Sequence, residues 1–219
     1  MASRIVAGLQ QAILEHRLAP GTKLSEDEVG EVYGVSRTIV RSALQALAHS
    51  DLVTIEKNRG AFIASPSIGE AHEVFEARAL IEPRVAAMAA KRIEARDIAT
   101  LNTHIGAEHA AMASGDKGKA LALSGEFHLE IASVAAHDVF TKFVQSLVKR
   151  SSLIIALYWK RADTTCESHS HQALMKAFTE RDPQAADEIM RSHIVDLHSG
   201  LDLSLKQNPA KSIADALRA

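Results

Sequence analysis

Arg37 and Arg41 stand four residues apart in a stretch where Val40, Ala43, Leu44 and Leu47 keep helical spacing, so both guanidinium groups share one predicted helix face with the Thr38 hydroxyl. Two guanidinium forks and a hydroxyl on one face suit phosphate oxygens and guanine edges. Lys57 and Arg59 form a second basic point, beside Gly60, which lets backbone come close to a phosphate or a groove floor. The other reservoir of chemistry is the set of 11 histidines, whose imidazole nitrogens suit Zn²⁺, Ni²⁺ and related ions. Cys166 is the single cysteine, in a predicted loop with no positioned base beside it.

These residues need elements to hold them. Ile5, Leu9, Ile13 and Leu14 recur at helical spacing, and Leu18-Ala19-Pro20-Gly21 is a stop. Ser25 with Glu28 three residues later forms a capping box for a short helix that runs to about Tyr33 and ends at Gly34. Ser36 is placed to cap the helix that carries Arg37 and Arg41, which leaves only Gly34-Val35-Ser36 as the turn. Two β-type runs, Leu52–Lys57 and Ala61–Ala64, flank Asn58-Arg59-Gly60 and read as a hairpin. A helix, a helix-turn-helix and a hairpin make a winged helix. In that arrangement the start of the second helix of the pair enters the major groove and the hairpin lies against backbone or minor groove. Arg37, Thr38, Arg41, Lys57, Arg59 and Gly60 are therefore the candidate DNA-binding residues.

Ala64-Ser65-Pro66-Ser67 reads as a linker, since Pro flanked by Ser favours extended chain. Beyond it the pattern is almost continuously helical, through about 68–93, 95–113, 117–136, 138–161, 169–181 and 183–206. Short breaks between six helices predict an antiparallel bundle. The expected fold is mainly α: a winged helix at 1–66, an all-helical domain at 67–206, and a tail at 207–219.

Composition agrees. With 219 residues and 47% hydrophobic content the chain can build a full core, which excludes general disorder. Aromatic residues at 4% and abundant Ala and Leu disfavour an all-β sandwich. One cysteine forms no internal disulfide, no apolar run approaches the ~18 residues of a membrane span, and Met1-Ala2-Ser3-Arg4 opens no signal-peptide core. A cytoplasmic protein without a membrane partner is the expectation. The net charge of -2 argues at first against nucleic acid. Residues 1–66, however, hold seven basic and seven acidic residues, so the deficit belongs entirely to the helical part. Placement then outweighs the sum, and weak non-specific DNA binding is expected.

Pro20-Gly21-Thr22-Lys23-Leu24-Ser25-Glu26, Gly34-Val35-Ser36-Arg37-Thr38, and Arg41 with Ala43-Leu44, Leu47, Leu52-Val53 and Asn58-Arg59-Gly60-Ala61-Phe62 resemble the winged helix of GntR-family transcriptional regulators. The resemblance implies that Arg37, Thr38, Arg41 and Gly60 contact operator DNA. The family usually has Arg where Asp27 stands, Pro at Ile39 and Glu at Ser42. Asp27 near phosphates would be repulsive, so that family contact is not carried over.

Glu76-Ala77-Arg78-Ala79-Leu80-Ile81-Glu82-Pro83, Ala86–Ala90, Phe127-His128, His171-Gln172-Ala173-Leu174 and Arg191-Ser192-His193-Ile194 resemble the FCD effector-binding domain of the FadR branch of that family. This implies helices around a cavity for a small carboxylate, often beside a divalent metal. The implied metal ligands are His128, His171 and His193, and Ser124 stands where the family has Asp. Zn²⁺ or Ni²⁺ suits such a set. Losing the Asp removes one ligand and one negative charge, so the expected site binds metal more weakly and leaves room for an effector carboxylate. Arg78 is implied as that carboxylate's bidentate partner, with Glu82, four residues along its own helix, as the competing one. A homodimer reading two half-sites completes the picture.

Four alternatives stand beside it. His169 is a possible substitute for His171, and Tyr158-Trp159 is a candidate pocket wall or core pair. Ser124 leaves open a metal-free pocket for an organic effector. His137-Asp138 matches a dipeptide of helical metal phosphohydrolases, which makes a metal-dependent hydrolase the rival class, although the accompanying ligands are not legible and neither is a Ser-His-Asp set, a phosphate loop or a Cys-His pair.

Overall fold

The computed structural model describes residues 1–160 and 165–204. Ile5, Leu9, Ala12 and Ile13 put one apolar stripe on α1 (Ala2–Leu14) and are buried. After the stop comes β1 (Lys23–Leu24), a two-residue strand with no counterpart in the sequence-based expectation. The Ser25 hydroxyl accepts from the Glu28 backbone N–H to start α2 (Glu26–Tyr33), and Gly34, with φ 65°, ends it in the left-handed conformation that suits glycine. Helix α3 (Arg37–Ala48) buries Val40, Ala43, Leu44 and Leu47, while Ser36 precedes it without a capping bond from its side chain. Strands β2 (Val53–Glu56) and β3 (Gly60–Ile63) form the expected antiparallel hairpin, with Val53 opposite Ile63 and Glu56 opposite Gly60. β1 adds to the free edge of β3, giving the order β1-β3-β2.

Six helices follow: α4 (Ile68–Arg92), α5 (Ala95–Ala113), α6 (Lys117–Val134), α7 (Asp138–Tyr158), α8 (Thr165–Thr179) and α9 (Pro183–Ser199). α8 begins earlier than its periodicity suggested, so the backbone at Cys166 is helical and not the predicted loop. α9 stops at Ser199, short of the expected 206, and Leu201 turns back to bridge Trp159. The predicted tail at 207–219 lies outside the described residues. α4 runs antiparallel to α9, since His72 meets His198 while Arg191 donates to the Ala79 carbonyl. Among the described residues no helix is long and apolar enough to cross a membrane.

Two apolar cores result, one built on α1, α3 and the sheet, the other on α4 to α9. They are interlocked. Leu153 of α7 is buried within the first core, and the Tyr158 hydroxyl donates to the Pro66 carbonyl in the linker. The first turn of α6 abuts the end of α1 so closely that a Cβ on Gly118 would lie 1.9 Å from the Glu15 carbonyl oxygen. Backbone cannot retreat as a flexible side chain does. Gly118→Ala is accordingly expected to cost about 1–3 kcal/mol by overpacking, read as a lower urea midpoint, whereas an unchanged midpoint would show that this seat yields freely.

Candidate metal centre and nucleic-acid face

His128 on α6, His171 on α8 and His193 on α9 meet in the bundle core, and all three are buried. Each offers a ring nitrogen to one point, with the three nitrogens within 4.8 Å of one another. The Nε2 atoms of His128 and His193 are 3.2 Å apart. Two nitrogens sharing an ion at about 2.0–2.1 Å in tetrahedral geometry stand roughly 3.3 Å apart. His171 Nε2 is buried with no hydrogen-bond partner among the described residues. An orphaned buried nitrogen costs energy unless something occupies its lone pair.

Two carboxylates fix these rings, and the sequence reading assigned neither of them to the site. His128 Nδ1 meets Glu82 Oε2 at 2.6 Å, and His171 Nδ1 meets Glu108 Oε2 at 2.9 Å. A carboxylate accepts, so Nδ1 carries the proton and Nε2 is left as the lone-pair nitrogen, which is the tautomer a metal requires. A signal was present in the sequence. Glu108 sits on the stripe Leu101, Ile105, Glu108, Ala111, all buried, and Glu82 lies on the buried stripe of α4. A lone acid on an apolar stripe needs a buried partner.

Electrostatics favour the same state. Burial opposes ionisation of Glu82, but Arg78 and His128 outweigh it and hold its carboxyl down to about 2. Burial pushes the His128 imidazole below its usual pKa despite Glu82. His193 is pushed well below by burial and by the neighbouring His171, His128 and Arg78. Neutral imidazoles are ligands and imidazolium is not, so the donor set fits a divalent ion.

Arg78 departs from the expectation. Its guanidinium is engaged by the competing partner: Nε donates to Glu82 Oε1 at 2.5 Å and Nη2 to Oε2 at 3.3 Å, while Nη1 donates to Ser151 Oγ at 2.9 Å. Its side-on fork is thus spent within the protein, which leaves two of about five N–H groups for a ligand among the described residues. Arg78, Ser124, His128 and Ser151 line a cavity of about 120 Å³ with apolar walls that include Leu121 and Ile155. Such a space suits a molecule of a few carbons rather than a drug-sized one.

The remaining candidates fall elsewhere. His169 is exposed and lies outside the cluster. Tyr158 belongs to the core, with Trp159 packed against it. His137 caps α7 by accepting from the Phe140 N–H and stacks on that ring, a structural use of the His-Asp pair.

On the winged helix, Arg37, Thr38, Arg41, Lys57, Arg59 and Gly60 are all exposed. The arginines have acidic partners: Arg37 pairs with Asp27, Arg41 donates to both oxygens of Glu26 at 3.0 and 2.8 Å, and Arg59 pairs with Glu56. Asp27 is thus a partner of Arg37 rather than a lone charge facing a phosphate. Pairs this exposed are screened by solvent and contribute little, so a polyanion can replace the carboxylates at little cost. Gly60, with φ 102°, and Asn58, with φ 63°, shape the wing tip.

Comparison with known proteins places the family and the fold. The profile of bacterial regulatory proteins of the gntR family matches residues 1–63, and that of the FCD domain matches 73–196. The Nta operon transcriptional regulator of Aminobacter aminovorans is 25% identical over 173 residues, covering 79% of this chain and 82% of that protein. The Uxu operon regulator of Haemophilus influenzae is 27% identical over 211 residues, covering 88% and 78%. A GntR regulator from Rhodococcus sp. RHA1 superposes with TM-score 0.78 at 20% identity over 90% of this chain and 95% of that one. McbR/YncC of E. coli does so with TM-score 0.78 at 18% over 90% and 97%. The chain belongs to the GntR family of transcriptional regulators, in the branch that joins a winged helix to an FCD domain, and it is a regulator rather than an enzyme.

Proposed function

We propose that this regulator is a homodimer whose helical domain senses a small carboxylate beside a divalent metal and thereby sets the spacing of two DNA-reading heads. Residues 1–66 are the reading head and 67–206 the sensing and dimerising part, followed by the tail at 207–219. The observation that carries the reading is the triad His128, His171 and His193, with two of its rings oriented by buried carboxylates and its edge open to a cavity lined by Arg78. These histidines would hold Zn²⁺ or Ni²⁺, which supplies a fixed positive charge that attracts an anion. Ser124, one turn before His128 and buried at the cavity wall, offers a neutral hydroxyl where an Asp would add a negative ligand. The site therefore keeps more of the metal's charge for the effector. Arg78 adds its two remaining N–H groups to the same carboxylate.

On DNA, Arg37, Thr38 and Arg41 are placed for the major groove and Lys57, Arg59 and Gly60 for backbone or minor groove. A dimer binds two half-sites, so a ligand that changes the separation of its heads changes affinity.

Metal analysis of purified protein is expected to find a divalent ion in the wild type and little in His128→Ala; equal content in both would remove the site. Glu108→Ala is expected to weaken metal binding by about 10–100-fold while leaving all three ligands in place, measured by competition with a chelator. For DNA, Arg41→Ala is expected to cost about 1–3 kcal/mol on a fragment from the protein's own upstream region, followed by anisotropy across salt concentrations. Absence of specific binding by the wild type would count against the whole reading.

A further inference from the structure

The cavity beside the histidine triad is not walled by the bundle alone. Gln10 and Leu14 of α1 and His16, just past its end, line it together with Arg78, Ser151 and Ser152. α7 makes the junction through three successive residues. Ser151 accepts from Arg78, the Ser152 hydroxyl is 3.2 Å from His16 Nε2, and Leu153 is buried in the core of the winged helix.

His16 also closes α1. The His16 N–H bonds to the Ile13 carbonyl and the Arg17 N–H to the Ala12 carbonyl, the pattern of a helix end closed by one left-handed residue. Glycine is the usual choice at that position, yet the chain puts histidine there with φ 55°. A non-glycine residue pays about 1–2 kcal/mol for such a backbone. Asp51, Ala136 and Arg181 end other helices in the same left-handed region, so what singles His16 out is the place of its ring at the cavity wall and not its backbone. Burial lowers the His16 pKa against the opposing bond to Ser152, so at neutral pH the ring is uncharged with one donor and one acceptor. Lys149 lies on the same wall and supplies positive charge.

We infer that His16 is an effector-contacting residue: the DNA-binding domain supplies one wall of the sensing cavity, and a carboxylate anchored near Arg78 presents a second oxygen function to the His16 imidazole. The ligand class is a small hydroxy acid or dicarboxylic acid rather than a simple monocarboxylate. The inference rests on the carboxylate-sensing reading above.

The test uses the full chain loaded with Zn²⁺ and three probes, acetate, malate and citrate, titrated calorimetrically at millimolar concentration against the wild type and His16→Asn. Asn tolerates the left-handed backbone and shortens the side chain, and His16→Gly, which keeps that backbone without strain, replaces it if it fails to fold. The expected result is that malate or citrate binds the wild type and is weakened about ten-fold or more in the variant, as loss of a charge-assisted hydrogen bond requires, while acetate changes less than about two-fold. Equal weakening of all three would make His16 a structural residue and overturn the inference, as would no weakening of any. Failure of all three to bind the wild type would overturn the carboxylate-sensing reading itself, and the inference with it.

Discussion

A guanidinium, a carboxylate and an imidazole lie in series at the centre of the bundle: Arg78 grips Glu82, and Glu82 grips His128, all three nearly excluded from solvent. Removing charges from water is costly, and attraction between them repays that only when the geometry is good and the remaining donors and acceptors are filled. The series satisfies this by drawing on α4, α6 and α7 at once, because Ser151 accepts from the far side of Arg78. Three helices must therefore keep their relative rotation, or a charge is left buried without a partner at about 3–5 kcal/mol. The apolar core around the series supplies the attraction between helices. Their register is fixed by the polar series.

The same constraint explains why the histidines converge. His128 is held through Glu82 and His171 through Glu108, so each ring is oriented by a helix other than its own. The lone pair of a neutral imidazole is directional, and a ring free to spin would point it at the shared centre only part of the time. Arg78 is less available to a ligand than an unpaired guanidinium, because three of its donors are held by Glu82 and Ser151.

Most of the fold was legible because its signals are local. The periodicity of the first three helices, the Gly34 stop and the wing turn each depend on residues within a few positions of one another and appear where expected, whereas the ends of α8 and α9 do not. β1 was missed because two residues carry no periodicity and its partner is far along the chain. The triad was legible only through family resemblance; spacing alone gives no reason to choose three of 11 histidines on separate helices. Glu82 and Glu108 were not assigned to the site because a carboxylate is ordinarily read as solvent-facing, and only its place on an apolar stripe betrays otherwise. Likewise the acidic partners of Arg37 and Arg41 come from a different helix, so the net neutrality of the first 66 residues was countable while its pairing was not.

Leu153 gives the architecture a property that a string of independent modules lacks. A side chain from the helical bundle completes the apolar centre of the winged helix, so the winged helix does not carry a full set of its own interior residues. Exchange of heads, by recombination or by engineering, would pair this winged helix with another bundle, and a residue of different size at that position would leave either a void or a clash. The two halves are constrained to diverge together at that position, whatever operator the head comes to prefer.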